Sequence, residues 1–392
     1  MKYEPIFTTN NKYFSFWCYF FFLSFVAGFF FLNSSKQLNN VFYISLSLPA
    51  LIIIIKDRKT IFNQTTFFVI FFTLALWVTF TGLISHEPTN NTFKELKPLV
   101  YVFFLSVITF YIIKNRPNTP LTLAYVILVS ATLSGILLLI EFYEPRHWDL
   151  TRRLGGSGPL SNSIWVGAAY GFSAIIAINI FLQNESKKYQ LISLSLGFIP
   201  LIVMLATQSR GPFVAFAMAL IYSLIAYKNK RALFLTLTAL AAIIFISLSY
   251  SDTIDQSRLF KGDSHRIGIW SNAIDEISKA PIFGHGISAN SENHIGKRSF
   301  SHFHNVYLTL AFHTGIIGLL LFLPLVLIPT FTTKGNTARL LKSMLIFGMI
   351  YMLFNASRVF TSPKELWLIF WIPLLLLWAH NKHSKRHEQS SS

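Results

Sequence analysis

Three basic residues carry most of the chemistry that this chain could perform. His304 stands at the mouth of a long apolar stretch, in His304-Asn305-Val306-Tyr307-Leu308, with Gly315, Ile316, Ile317 and Gly318 further along. Polar groups at such a place are costly unless they have a task. Histidine, with a pKa of about 6.5, can accept a proton from a hydroxyl near neutral pH. Gly315 and Gly318 lie 11 and 14 residues past His304. In a regular helix of about 3.6 residues per turn all three share one stripe, which would leave a groove without side chains below the imidazole. His313 falls on the opposite face and is expected to touch a neighbouring helix.

Arg210 belongs to the tight turn Thr207-Gln208-Ser209-Arg210-Gly211-Pro212. Proline suits the first turn of the helix that follows, and a helix N-terminus offers unpaired amides and partial positive charge. The turn therefore reads as a phosphate seat, the plainer alternative being an arginine that snorkels toward lipid headgroups. Arg266 lies in Asp263-Ser264-His265-Arg266-Ile267-Gly268-Ile269-Trp270, ahead of Pro281-Ile282-Phe283-Gly284-His285-Gly286. Its plainer role is a surface ion pair with Asp263. Arg152 and Arg153 precede a glycine-rich bend that ends at Gly158-Pro159.

The elements that must position these residues are membrane helices. Of 392 residues 53% are hydrophobic, 40 are Phe and only 12% are charged, against about a quarter charged in ordinary soluble proteins. Apolar stretches long enough for a bilayer of roughly 30 Å predict about twelve spans, near 13–32, 41–55, 66–85, 97–113, 119–141, 163–182, 190–207, 212–227, 232–250, 304–331, 340–358 and 364–380. The fold class is thus an all-α polytopic membrane protein. No cleavable leader pattern precedes the first span, so it is expected to remain as a helix. Cys18 is the only cysteine, which excludes an internal disulfide and a cysteine-built metal site.

Charge sets the orientation. With the N-terminus cytoplasmic, the inner segments hold 18 basic and 4 acidic residues and the outer segments 15 and 12. The positive-inside rule then puts both termini in the cytoplasm. The formal charge of +17 is spread in short clusters between apolar runs, a distribution that argues against nucleic acid as a partner. The organisation expected is spans one to nine over 1–250, an outer and mainly helical loop domain at 251–303, spans ten to twelve over 304–380, and a basic cytoplasmic tail at 381–392. In the loop domain Ser264 could cap a helix with Ile267, Trp270, Ile274 and Ile277 on one face, stopped by Pro281. The same topology puts Arg210, Arg266 and His304 on one side of the membrane.

Four elements together resemble the O-antigen ligase and polymerase superfamily of bacterial membrane glycosyltransferases. They are the Ser209-Arg210-Gly211 turn, Arg266 followed four residues later by Trp270, the Pro281 to Gly286 turn, and above all His304-Asn305 with Gly315 and Gly318. The family pattern usually has a leucine where this chain has Trp270. The resemblance implies an inverting transfer at the periplasmic face of the inner membrane, with neither metal nor other cofactor. Its donor is O-antigen polysaccharide on undecaprenyl pyrophosphate, and its acceptor, in the ligases, is lipid A–core oligosaccharide. Arg210 and Arg266 would bind the pyrophosphate and His304 would assist the acceptor hydroxyl. Asn305, Gly315, Gly318, Arg152 and Arg153 are further candidates for contact with substrate, membrane lipids being the remaining partner.

A sugar–pyrophosphate bond releases a good leaving group, so stabilising negative charge matters more than supplying an acid. An O-antigen polymerase and a protein O-oligosaccharyltransferase use the same kind of donor and stay as alternatives, although the second usually has a longer C-terminal region. A secondary transporter would want ionisable residues near the bilayer midplane, where Glu141 and His313 are the residues to inspect.

Overall fold

The computed structural model describes residues 12–59, 64–84, 92–228, 230, 265–295 and 298–390. Among these, ten helices are long and apolar enough to cross a membrane. They are α1 (Lys12–Phe31), α2 (Ser35–Lys56), α3 (Thr65–Ile84), α4 (Thr92–Asn115), α5 (Thr119–Tyr143), α6 (Ser163–Gln183), α7 (Lys187–Ala206), α8 (Arg210–Tyr227), α10 (Val306–Thr332) and α11 (Asn336–Phe354). Between α8 and α10 comes α9 (Arg266–Lys279), and after α11 a shorter apolar helix, α12 (Trp367–Asn381). The chain is an all-α polytopic membrane protein, as its apolar runs demand: in a bilayer every backbone N–H and C=O must be satisfied within the segment. The expected span at 232–250, residues 251–264 and the expected cap Ser264 lie outside the described residues.

The centre of the bundle is α6, with 78% of its apolar window buried. It packs on α5, α7, α8 and α11. Small residues permit the close approach: a methyl added at Gly171 would lie 2.6 Å from Met204 Sδ, and one at Gly197 would lie 2.4 Å from the Ala177 methyl. In the buried core Asn179 Nδ2 donates to Ser223 Oγ and Ser343 Oγ, each at 3.0 Å. That bond set ties α6, α8 and α11 together where no water competes.

Outside the bundle, α9 is joined by a small antiparallel ribbon of β1 (Asn293–Ile295) and β2 (Arg298–Phe300). The described part of the loop domain is therefore helix plus ribbon. The expected apolar stripe of α9 divides between the protein and its outer side. Ile269 and Ala273 are buried against Phe303 and Phe312, with Trp270 and Ile277 beside them, whereas Ile267 and Ile274 are 74% and 58% exposed. The aromatic platform from the start of α10, which periodicity alone cannot locate, sets the rotation of α9.

Two corrections concern α10. It starts at Val306 rather than at His304, and it is not regular: Gly315 has φ 66° and ψ −173°, which breaks the helix. This is a region of backbone space that essentially only glycine occupies. The break would strand carbonyls in the membrane, and each is met. His285 N donates to Phe312 O (2.8 Å), Gly286 N to His313 O (3.0 Å), and Trp77 Nε1 on α3 to Thr314 O (2.8 Å). In return Ile316 N donates to Pro281 O at 2.8 Å, and His313 Nδ1 donates to Gly286 O at 2.8 Å.

The Pro281 to Gly286 turn thus locks into the broken helix and fills the place beside Gly315 that a regular helix would leave open. A methyl at Gly315 would sit 1.9 Å from Ile282 O, and one at Gly318 1.9 Å from Thr314 Oγ1. Both glycines are buried. His313 is tied to this turn through its Nδ1 and lines a small cavity with Val78 of α3.

Candidate active site

Three chain segments and the end of α11 converge outside the bundle, and each is held by its own local device. The first is the N-terminus of α8. Ser209 precedes Arg210 but its hydroxyl makes no cap bond to the helix. Instead Ser209 Oγ donates to Ser163 O (3.2 Å) and accepts from Arg153 Nη2 (3.0 Å), while Arg153 Nε donates to Thr207 O (2.8 Å). Arg153 therefore serves as the bracket of the turn rather than as an open anion ligand. Gly167 on α6 lets the turn settle, since a methyl there would meet Thr207 Oγ1 at 2.7 Å. Arg152 points elsewhere, with its Nε 3.2 Å from Asp149 Oδ2 at the exposed surface.

The second segment is the start of α9. His265 precedes it in the left-handed region (φ 58°), and Arg298 Nη1 donates to His265 Nε2 at 3.1 Å. His285 bolts the far end, donating from Nε2 to Glu276 O at 2.8 Å and stacking on Phe312. Arg266 then lies over the Phe354 ring, with Cζ 5.6 Å from its centroid, and Trp270 one turn on is 6.2 Å from the same ring.

The third is His304 itself, at φ 53°. Its ring centroid is 4.1 Å from that of His302 and 6.3 Å from that of Phe300. Asn305 is the N-cap of α10, its Oδ1 accepting from Tyr307 N (3.0 Å) and Leu308 N (3.1 Å). It is buried, and its Oδ1 has a helix-building role.

Electrostatics bind the three together. The Arg266 guanidinium is held below its ordinary value by burial and by the neighbouring Arg210 charge. Two guanidiniums within electrostatic reach of each other favour an anion between them. The His304 imidazole is pushed down to about 4, by burial first, then by His302 and by Arg266. It is therefore neutral at pH 7 and able to accept a proton, though as a weaker base than a free histidine. His302 is likewise lowered by burial.

Among the described residues seven non-glycine positions have positive φ. Four of them, Gln208, His265, His304 and Ala356, lie at or within two residues of Arg210, Arg266, His304 and the end of α11. Backbone strain gathers where function needs geometry that packing alone would not choose.

Residues 195–323 match the family model described as O-Antigen ligase. The chain carries an O-antigen ligase family domain. That domain contains Arg210, Arg266, His304, Gly315 and Gly318 but neither Arg153 nor the end of α11. An O-antigen ligase of Pseudomonas aeruginosa is 27% identical over 91% of this chain and 88% of its own length. An exopolysaccharide production protein of Rhizobium meliloti is 24% identical over 82% of this chain and 78% of its own. An O-antigen polymerase of Salmonella muenchen is 23% identical over 87% of this chain and 94% of its own. Together the O-antigen ligase domain and these relatives mark a glycosyltransferase-like membrane enzyme of polysaccharide assembly.

Sequence reasoning missed His302, Phe354 and Asn355. The first is hidden by its proximity to His304. The other two lie at the end of a span whose apolar pattern runs on past the true helix end at Phe354, where Asn355 turns extended (φ −154°, ψ 175°). A cluster of polar residues from Asn355 to Arg358 was the available signal. Neither residue singled out for a transporter sits as one would need: Glu141 is exposed in the last turns of α5 and His313 is engaged with Gly286.

Proposed function

We propose that this protein transfers O-antigen polysaccharide from undecaprenyl pyrophosphate to lipid A–core oligosaccharide at the periplasmic face of the bacterial inner membrane, with both termini cytoplasmic. The observation that carries the reading is the convergence of two arginines on the end of α11: Gly211, next to Arg210, packs on Phe354 and Asn355, and Arg266 lies over the Phe354 ring, with His304 in electrostatic reach of Arg266. The pyrophosphate would neutralise the two guanidiniums at the N-terminus of α8. The acceptor hydroxyl oxygen attacks the anomeric carbon from the face opposite the pyrophosphate, and inversion follows. As the new carbon–oxygen bond forms, the sugar–phosphate bond breaks and its electron pair leaves on the pyrophosphate. The hydroxyl proton passes to the His304 imidazole.

Binding the donor also strengthens this base. Once the anion offsets the guanidinium charge that weighs on His304, imidazolium becomes easier to form. No step in this scheme calls on a metal or nucleotide sugar.

A second reading, extension of another lipid-linked chain as in a polymerase, draws on the polymerase relative that aligns over nearly its full length. Deleting the gene and resolving lipopolysaccharide on a gel separates the two. Loss of the ladder, with full-length glycan kept on undecaprenyl pyrophosphate, marks the ligase. One repeat unit attached to core marks the polymerase. His304→Ala, Arg210→Ala and Arg266→Ala should each insert normally yet fail to restore the ladder, and normal smooth lipopolysaccharide from all three would sink the assignment.

A further inference from the structure

Asn355 is the best-placed side chain at the convergence that has no stated task. It follows α11 and is 4% exposed, with its backbone N–H donating to Tyr351 O at 3.0 Å. Its side-chain Nδ2 is buried and has no hydrogen-bond partner. A methyl placed on Gly211 would lie 2.5 Å from that nitrogen and 3.2 Å from the Phe354 Cβ. The amide therefore rests against the first turn of α8, next to Arg210. Leaving a buried donor unsatisfied is costly, so native structures rarely do so without a reason.

The surroundings say what would satisfy it. Arg266 and Trp270, on successive turns of α9, both lean on Phe354, the residue before Asn355. Trp270 Nε1 is a second buried donor without a partner. The first turn of α8 gets no cap bond from Ser209, whose hydroxyl is committed to Ser163, Thr207 and Arg153. Guanidiniums, a helix N-terminus, an indole N–H and an amide NH₂ are all donors, and a group rich in acceptor oxygens is their common complement.

We propose that Asn355 is a ligand-binding residue, its Nδ2 donating to a phosphate oxygen seated between Arg210 and Arg266 at the N-terminus of α8. The inference rests on the donor assigned above and adds to it a contact from outside the O-antigen ligase domain. It also gives Gly211 a purpose, since any larger residue there would push the amide off the helix.

Two substitutions make a sign test. Asn355→Ala removes the donor, whereas Asn355→Asp removes it and adds a charge of the same sign as the ligand. In the empty protein that carboxylate would sit by two guanidiniums and a helix N-terminus, so Asn355→Asp should unfold at or above the wild-type temperature. Binding should run the other way. The purified proteins, in nanodiscs of phosphatidylcholine, are titrated with undecaprenyl pyrophosphate, with inorganic pyrophosphate and with phosphatidylglycerol.

Asn355→Ala should weaken both pyrophosphate ligands about tenfold, and Asn355→Asp about a hundredfold or more. Unchanged binding in Asn355→Ala, Asn355→Asp binding no worse than Asn355→Ala, or a marked loss of stability in Asn355→Asp would each overturn the proposal. An Asn355-dependent response to phosphatidylglycerol alone would keep the phosphate site but overturn its assignment to the donor. Arg210→Ala serves as the control: if it too binds like wild type, the reading of the whole site fails, and not only the part given to Asn355.

Discussion

Replacing Gly315 by alanine separates a glycine that admits a lipid chain from one that locks two segments together. The position has φ 66° and ψ −173°, which costs a non-glycine residue about 1–3 kcal/mol before any contact is considered. The added methyl would then lie 1.9 Å from Ile282 O and 2.7 Å from Phe283 N. These are backbone atoms, so no side-chain rotation relieves the overlap and the Pro281 to Gly286 turn must retreat. Four hydrogen bonds hold that turn to α10, Ile316 N to Pro281 O, His285 N to Phe312 O, Gly286 N to His313 O, and His313 Nδ1 to Gly286 O.

Losing even two of them at about 1 kcal/mol each brings the cost to about 3–5 kcal/mol, a large share of a typical total stability of about 5–15 kcal/mol. The same retreat would shift α9, because His285 joins the turn to Glu276 O, and would carry Arg266 away from His304. Thermal unfolding of the detergent-purified variant should show a midpoint many degrees lower, with transfer falling through kcat. A variant as stable as wild type, whose only defect is a raised KM for the donor, would refute the lock and restore the lipid groove.

Two further outcomes follow from the site. Because His304 is pushed down to about 4, the acid limb of kcat/KM, which reports the free enzyme, should lie near pH 4. Activity is kept above that value and lost as pH falls through it. The limb of kcat should lie at higher pH, since the bound anion offsets Arg266 and favours imidazolium; both limbs at one pH near that of free histidine would contradict this account. Asn305→Ala removes the acceptor for Tyr307 N and Leu308 N and should cost about 1 kcal/mol in unfolding stability, with transfer per folded molecule within a few-fold of wild type. Abolished transfer at unchanged stability would instead make Asn305 a substrate contact.

The sequence by itself determined the class of molecule and most of its helices. Runs of apolar residues without charge have no other stable state in a bilayer, so spans such as 119–141 and 163–182 reappear as α5 and α6 within a few residues. It also singled out Arg210, Arg266 and His304, through their resemblance to a family pattern and a charge count that puts all three on one side of the membrane. Tertiary structure alone decided what the neighbours do. Gly315 and Gly318 form one open stripe only on a regular helix, and the break in α10 depends on carbonyls being met from Trp77, His285 and Gly286.

Arg153 and Arg152 are adjacent in sequence, yet one brackets the Ser209 turn and the other pairs with Asp149 at the surface. Asn355 enters the site only because α11 stops at Phe354 and lays the next residue on Gly211. Periodicity and composition report what a residue is made of and which side of its own helix it occupies. Which atoms it meets depends on contacts between segments as far apart as Trp77 and Thr314, and those exist only once the bundle has closed.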